Sequence, residues 1–397
     1  TVAFPPVEVK RLTGLAIDES EMERILKALG FVVAKSDPWL VSVPSFRPDI
    51  DGKADLVEEI ARILGFDRLP AATLAPRGPV EMPKSTPAQD RRRNARRALA
   101  ARGLLEAVTW SFMDKRHASL FMSENEIRAR GLVLANPIAS DLDAMRPSIL
   151  PNLLKALQRN ADRGRDGLAL FEVAPQYAGA GPSDQAMMAR GARRPAAIRH
   201  WQDVPGTDIF AAKADALAAL EAAGAKIEQL QTSADAPNYY HPGRSGTLRF
   251  GPAKALAHFG ELHPRVLKAL DVDGPVYGFE VFLDQIPEPK KKGAKTKPAL
   301  DALDLMPLTR DFAFVVDANV TAEALVKAVA AADRKLISKV ALFDVYEGKG
   351  VPEGKKSLAV EVKIQPREKT LNDEEIEALS ARILAQVGKA TGGVLRS

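Results

Sequence analysis

Ser42-Val43-Pro44-Ser45-Phe46-Arg47-Pro48-Asp49-Ile50, followed by Ala54-Asp55-Leu56-Val57-Glu58-Glu59-Ile60-Ala61-Arg62-Ile63-Leu64-Gly65-Phe66, reads as a strand end, a turn and a helix. Trp39 to Pro44 has the alternation of a short strand, and prolines bracket the turn. The helix is expected over Asp55 to Leu64, with Gly65 as its stop. Asp55, Glu58 and Glu59 stand at i, i+3 and i+4, so they share one helix face. Asp49 lies in the turn and can fold back over the helix start. Four carboxylates without Cys or His suit a hard cation such as Mg²⁺, which takes oxygen ligands. A simpler use competes. Asp55 followed by Glu58 reads as an N-terminal capping box, and acidic groups near a helix N-terminus are favoured by its dipole.

Outward from this stretch, the chain is expected to be an α+β multidomain protein. Residues 1–72 open with an alternation, Val2, Phe4, Val7 and Val9, and then a helix from Ser20, a plausible N-cap with Glu23 three residues on, to Gly30. This is a small α/β, winged-helix-like unit. Residues 71–90 are rich in Pro and Ala and read as a connector. From 73 to 288 runs a large middle domain. It begins with an Arg-rich helix (Arg91, Arg92, Arg93, Arg96, Arg97, Arg102), and short strands then alternate with helices at Pro151–Arg163 and Ala211–Ala223. The strands are read at Glu106–Trp110, Leu168–Val173, Ala255–Gly260 and Val276–Phe282. That order implies a mostly antiparallel sheet flanked by helices. Residues 289–300 lack apolar periodicity and read as a basic linker. Residues 301–397 read β-α-β-β-α around a glycine-rich hairpin at Gly348–Gly354, close to a ferredoxin-like domain.

The totals exclude more than they assert. A chain of 397 residues exceeds one ordinary core. No Cys is present, so disulfides, thiolate nucleophiles and Cys-based zinc sites are excluded, and a reducing compartment is the expectation. Five scattered His make no metal-binding pair. No apolar run can span a bilayer. The first residue is Thr with no signal segment after it, so the chain reads as a piece of a longer protein. A net charge of +5 permits an anionic partner without naming one.

The opening stretch resembles the pattern V-P-S-x-R-x-D-I…D-L-V-E-E-x-A-R-x-x-G-[YF] of the β subunit of bacterial phenylalanyl-tRNA synthetases. Asn136-Pro137-Ile138 with Met145-Arg146-Pro147-Ser148-Ile149-Leu150-Pro151-Asn152-Leu153-Leu154 is similar to the class II motif 1 segment of that family, which serves dimer contacts. Phe171-Glu172-Val173 resembles a vestige of the motif 2 strand. His241-Pro242-Gly243-Arg244-Ser245 and Gly260-Glu261-Leu262-His263-Pro264 resemble further β-subunit segments. So do Arg310-Asp311-Phe312-Ala313-Phe314-Val315-Val316, Leu342-Phe343-Asp344-Val345-Tyr346 and Thr370-Leu371-Asn372-Asp373-Glu374-Glu375, which match the anticodon-binding domain.

The resemblance covers nearly the whole chain and implies its C-terminal half of the subunit. It implies a class II synthetase catalytic-like domain without catalytic residues, since Gly278-Phe279-Glu280-Val281-Phe282-Leu283 lacks the glycines and Arg that would hold a triphosphate. ATP would be used by the α subunit, in a cytoplasmic α2β2 heterotetramer acting on tRNA(Phe), and no editing module is expected here. It also implies Mg²⁺ on Asp49, Asp55, Glu58 and Glu59.

Anticodon contact is implied for Asp344 and Tyr346, which lie two apart on one strand and so face the same way. Lys349, Lys355, Lys356, Lys363 and Arg367 cluster around them in sequence. Aromatic rings stack on unpaired RNA bases, and cations meet phosphates. A solvated surface is the plainer reading of each Lys, and core packing that of Tyr346. The Arg-rich helix has three readings: RNA phosphate, acidic groups of a partner subunit, or a solvated face. His241, Arg244, Glu261 and His263 offer no nucleophile–base spacing and are explained by turn structure. The rival function is a stand-alone nucleic-acid-binding module.

Overall fold

The computed structural model describes residues 1–73, 85–195, 201, 206–288 and 303–396. The linker expected at 289–300 and residues 74–84 of the connector lie outside them. The chain divides into two compact units, Thr1–Lys84 and Ser85–Ser397.

The first unit contains β1 (Val2–Phe4), α1 (Val7–Thr13), α2 (Glu19–Ala28), β2 (Val32–Ala34), β3 (Trp39–Ser42) and α3 (Lys53–Leu64). The strands form an antiparallel sheet in the order β1-β3-β2. Pro5 and Pro6 end the opening strand, so Val7 and Val9 belong to a helix and not to the alternation that Val2 and Phe4 begin. The second helix starts two residues earlier than its sequence suggests. Asp18 is its N-cap, and Ser20 is already helical. Glu23 bridges Lys27 and Lys35 at 2.7 and 2.6 Å. Phe4, Ile25, Leu26, Trp39, Leu56 and Ile60 fill the core, with Phe4 edge-on to Trp39.

The second unit opens with α4 (Pro87–Ala101), β4 (Leu105–Glu106), β5 (Phe112–Met113), α5 (Lys115–Ala118), α6 (Glu124–Ala129), β6 (Ala144–Met145) and α7 (Leu150–Ala161). It continues with β7 (Ala169–Tyr177), β8 (Gln185–Arg193), α8 (Ile209–Ala222), β9 (Leu230–Ser233), β10 (Tyr240–Phe250), β11 (Lys254–Leu262), α9 (Pro264–Ala269) and β12 (Tyr277–Phe282). Seven of these strands form a sheet in the order β4-β7-β8-β12-β11-β10-β9, antiparallel apart from the β4–β7 pair. Two apolar layers enclose it. Ala95 and Leu99 of α4 and Ala216, Ala219 and Leu220 of α8 pack on Phe171, Val173, Ala189, Phe259 and Phe279. Leu150, Leu153, Leu154 and Leu157 of α7 pack on Leu170, Met188, Ala192 and Leu262 from the other side.

The chain ends with β13 (Leu308–Asp317), α10 (Ala322–Ala332), β14 (Ile337–Tyr346), β15 (Lys355–Ile364), α11 (Asp373–Thr391) and β16 (Val394–Leu395). These strands form an antiparallel sheet ordered β14-β15-β13-β16. Phe312, Phe314, Val316, Leu358, Val360, Val362 and Ile364 face α10 and α11, whose Leu325, Val329, Leu379, Ile383 and Val387 complete the core. Among the described residues, α10 and α11 pack on this one face, and no helix packs on the other. Among the described residues, no helix is long and apolar enough to cross a membrane.

The central strand β8 has a steric requirement at Gly191, which lies between Phe171 and Phe279 in the ladder. A Cβ there would sit 2.4 Å from Cε1 of Phe279 and 3.1 Å from the Leu170 carbonyl oxygen. Gly191→Ala should therefore destabilise the second unit by about 1–3 kcal/mol, the usual cost of overpacking. Urea denaturation followed by tryptophan fluorescence reads this as a lower midpoint; an unchanged midpoint means the strand can yield.

Candidate RNA-binding surface and carboxylate cluster

The carboxylates of the first unit are held by arginines and backbone. Arg47 donates to Asp49 through Nε (2.9 Å) and Nη2 (2.6 Å), and to Glu59 through Nη1 (2.9 Å). Arg62 reaches Glu59 from the other side at 2.6 Å. These two guanidinium groups hold the Glu59 carboxyl well below its usual 4.5, at about 2. Asp49 is lowered as well, chiefly by Arg47. Asp55 faces the helix start, where its Oδ2 accepts from the N–H groups of Asp51 (2.9 Å) and Gly52 (2.8 Å). The cap is therefore Gly52 with Asp55 at the third helical position, and not Asp55 with Glu58. Glu58 is exposed. Among the described residues, no three His, Asp or Glu side chains are gathered as a cation site. The oxygen chemistry of Asp49, Asp55, Glu58 and Glu59 suits magnesium, but as placed they do not fit it. Arg47 supplies the positive charge between Asp49 and Glu59, and Asp55 is turned to the backbone.

The large sheet holds a feature that sequence reasoning missed. Glu172, Arg190, Glu280, His258 and Thr247 stand directly opposite one another across five neighbouring strands, one polar row on the face covered by α7. Arg190 pairs with Glu280 and with the Ser148 hydroxyl, and Tyr239 donates to Glu280 at 2.8 Å. Arg146, fully buried, pairs with Glu172 at 2.9 Å and donates to the Pro175 carbonyl at 3.1 Å. Buried charges persist only when paired in this way. Thr247 Oγ1 lies 2.9 Å from His258 Nδ1, a hydroxyl–imidazole pair, yet Thr247 is wholly buried and meets no substrate.

Several cations of the Arg-rich helix are also engaged. Arg91 donates to the Pro287 carbonyl, Arg96 pairs with Glu106 and the Val173 carbonyl, and Arg102 joins Arg193 on the buried Asp215. His241 and His263 accept backbone N–H groups of Gly243 and Arg265, and Arg244 pairs with Glu261, so these are local structural roles.

The uncovered face of the four-stranded sheet collects several of the residues singled out near the C-terminus. Tyr346 lies opposite Ser357, and Asp344 opposite Ala359. Lys355 and Lys363 have the same parity on β15 and share that face. Lys356 has the other parity and donates to the Ala318 carbonyl at 2.7 Å. Lys349 sits in the hairpin, where its carbonyl accepts from the Tyr346 hydroxyl at 3.1 Å. Arg367 lies beyond β15, near the Lys335 carbonyl. The face is not uniformly basic, because Asp311, Asp317 and Glu361 also line it. Its centre is small: Ala313, Ala359 and Ser357. Arg396, just past β16, reaches back over this floor and sets its guanidinium carbon 5.1 Å from the Tyr346 ring centre. No local signal in the sequence marks Arg396.

A family model described as the phenylalanyl tRNA synthetase beta chain CLM domain matches residues 72–283. A tRNA synthetase B5 domain matches 2–66, and a ferredoxin-fold anticodon binding domain matches 306–396. The chain belongs to the phenylalanyl-tRNA synthetase β-chain family. A phenylalanine–tRNA ligase beta subunit of Bradyrhizobium diazoefficiens is 51% identical over 402 residues, covering 100% of this chain and 50% of that protein. The beta subunit of Brucella abortus is 52% identical over 402 residues, with the same coverage. The chain thus spans about half the length of the curated relatives it matches. A solved pyrrolysyl-tRNA synthetase of Desulfitobacterium hafniense gives a TM-score of 0.40 at 13% identity, over 72% of this chain and 89% of that one. That likeness is too weak to add to the family assignment.

The lowered Glu59 value has a direct consequence. A carboxyl held at about 2 in the folded state, against 4.5 unpaired, stabilises the fold above the higher value. That contribution is lost as pH falls from 4.5 towards 2. Glu59→Gln should flatten the acid limb of the first unit's stability, and EDTA or millimolar magnesium should leave its melting temperature unmoved. A melting shift on chelation would mean that a metal, not Arg47, neutralises the cluster.

Proposed function

We propose that this chain is the part of a phenylalanine–tRNA ligase β subunit that places tRNA(Phe) for the catalytic α subunit, in the cytoplasm, within an α2β2 assembly. The observation that carries the reading is the pairing of Tyr346 and Asp344 on the uncovered face of the ferredoxin-fold sheet. An aromatic ring offers a stacking surface to an unpaired base, and the neighbouring carboxylate accepts from a base edge. Lys349 and Lys355 lie beside that pair, Lys363 and Arg367 lie towards the other end of the sheet, and Lys356 is directed away from the face; the share assigned to these cations is affinity for phosphate. Residues 1–72 would be a winged-helix-like module, 73–288 a class II catalytic-like domain, 289–300 a linker and 301–397 the anticodon-binding domain.

The middle domain contributes shape. Its buried arginines are already matched by Glu172, Glu280 and Asp215, which leaves them no charge for a triphosphate. ATP binding and phenylalanine activation therefore fall to the α subunit. Val108 and Trp110, both exposed, adjoin Pro151 and Asn152 in the segment similar to motif 1, and Lys155 just after it. Exposed apolar groups beside that helix support a subunit contact there. Holding the far end of a tRNA orients its acceptor end, which is how a non-catalytic body aids aminoacyl transfer.

The test uses the full chain and an anticodon stem-loop of tRNA(Phe). The chain alone should show no ATP–pyrophosphate exchange, and exchange should appear when it is co-purified with its α subunit. Tyr346→Ala should cost about 1–3 kcal/mol of stem-loop affinity, the usual worth of one stacked base, and leave α association intact. Equal affinity for a stem-loop of scrambled anticodon would favour a general nucleic-acid-binding module instead.

A further inference from the structure

The Tyr346 ring is not an open platform. Arg396 lies over it at 5.1 Å, within the range of a cation–π contact. Three features make this arrangement more than a chance surface contact. First, the backbone of Arg396 is fixed, because its N–H donates to the Ala313 carbonyl at 2.8 Å and the preceding Val394 and Leu395 pair with Val315 and Phe314. Second, the arginine starts from the far edge of the sheet, since β14 and β16 are its two outer strands. Neighbouring strands are about 4.8 Å apart, so β14 and β16 are roughly 14 Å apart. The Arg396 and Tyr346 side chains meet between these outer strands, over the small residues Ala313, Ser357 and Ala359. Third, among the described residues no carboxylate pairs with Arg396, whereas most arginines of the second unit that face another element are matched to an acid or a carbonyl.

We propose that Arg396 is the second recognition residue of the RNA site, a cation that covers the Tyr346 ring in the free protein and passes to a phosphate when a base takes the ring. This rests on the reading of the sheet face as the RNA-binding surface. The ligand is a single-stranded RNA segment: an unpaired base stacks on Tyr346 over the small floor, and the guanidinium takes the phosphate beside that base. A planar, permanently charged fork suits both positions, stacked on an aromatic face and hydrogen-bonded to phosphate oxygens. The cover is partial, since Tyr346 remains 36% exposed, and it shields part of the ring until RNA arrives. Removing the cover costs little, because the ring–cation contact is exchanged for a stack and a charge-assisted hydrogen bond.

The test measures binding of the same tRNA(Phe) anticodon stem-loop to the full chain across a series of salt concentrations. Each phosphate contact on a single strand contributes about 0.7 to the slope of log affinity against log salt. Arg396→Ala should weaken binding roughly fivefold at moderate salt and lower the slope by about 0.7, the signature of one lost phosphate contact. Arg396→Lys should restore the slope. Tyr346→Ala should weaken binding with the slope unchanged. Melting temperatures of all three variants check that the fold is kept, and Arg396→Gln replaces Arg396→Ala if β16 is disturbed. Tighter binding by Arg396→Ala would make the residue a mere cover, and an unchanged slope would remove the phosphate contact; either overturns the proposal. If the unaltered chain fails to prefer the stem-loop, the RNA-binding reading itself fails, a result separable from both.

Discussion

Two buried ion pairs, Arg146–Glu172 and Arg190–Glu280, govern what the large sheet is able to do. Each arginine sits where apolar packing would be expected, under α7 and against the centre of the sheet. Removing one partner of such a pair costs about 3–5 kcal/mol, since the other is left as an uncompensated buried charge. The pairs also join segments far apart in sequence. Arg190 ties Ser148, before α7, to β12, and Arg146 ties the same region to β7. The segment similar to motif 1 is thus fastened to the sheet by charge as well as by the leucines of α7. Each of these cations is offset at close range by a buried carboxylate, so the bonds that secure the fold also leave it little outward field.

The small C-terminal sheet solves the opposite problem. Its helices cover one face, and the other is left to solvent with an alternation of charged and small residues. An uncovered sheet face needs polar outward positions to avoid aggregation, and Asp311, Glu361, Lys363 and Lys339 provide them. The small residues at the centre do something different. Ala313, Ala359 and Ser357 stabilise little by themselves, but they lower the floor beside Tyr346 and let a long side chain or a base lie across the strands.

Much of this architecture is legible in the sequence where the pattern is local. The Tyr346 and Asp344 pair follows from period-two alternation, and α3, α10 and α11 follow from apolar spacing with their end signals. What is not legible depends on distant partners. β8 is absent from the strands read in the sequence because Arg190, Gly191 and Arg193 break its apolar run, yet Glu280, Phe279 and Asp215 supply the missing logic from other elements. β10 is hidden by His241-Pro242-Gly243, which marks a turn in isolation and sits at a register shift in the ladder. The carboxylate cluster shows the same dependence: its spacing is legible, but the contacts of Arg47 in the preceding turn with Asp49 and Glu59 are not. Grouping Lys356 with Lys355 ignores strand parity, which sends the two side chains to opposite faces.

Net charge is therefore a poor guide to the surface that meets RNA. Of the excess basic residues, many arginines are consumed within the fold: Arg47 and Arg62 on Glu59, Arg102 and Arg193 on Asp215, Arg146 and Arg190 on buried glutamates. Such groups keep their charge but project little field, because each is offset at close range by an acid. What acts on a polyanion is the remainder, cations whose nearest acid is distant or exposed. A chain with the same composition and different pairing would present a different face. The arrangement of counter-charges, more than the count of basic residues, decides where positive field is left over, and on the C-terminal sheet Arg396 has no carboxylate partner among the described residues.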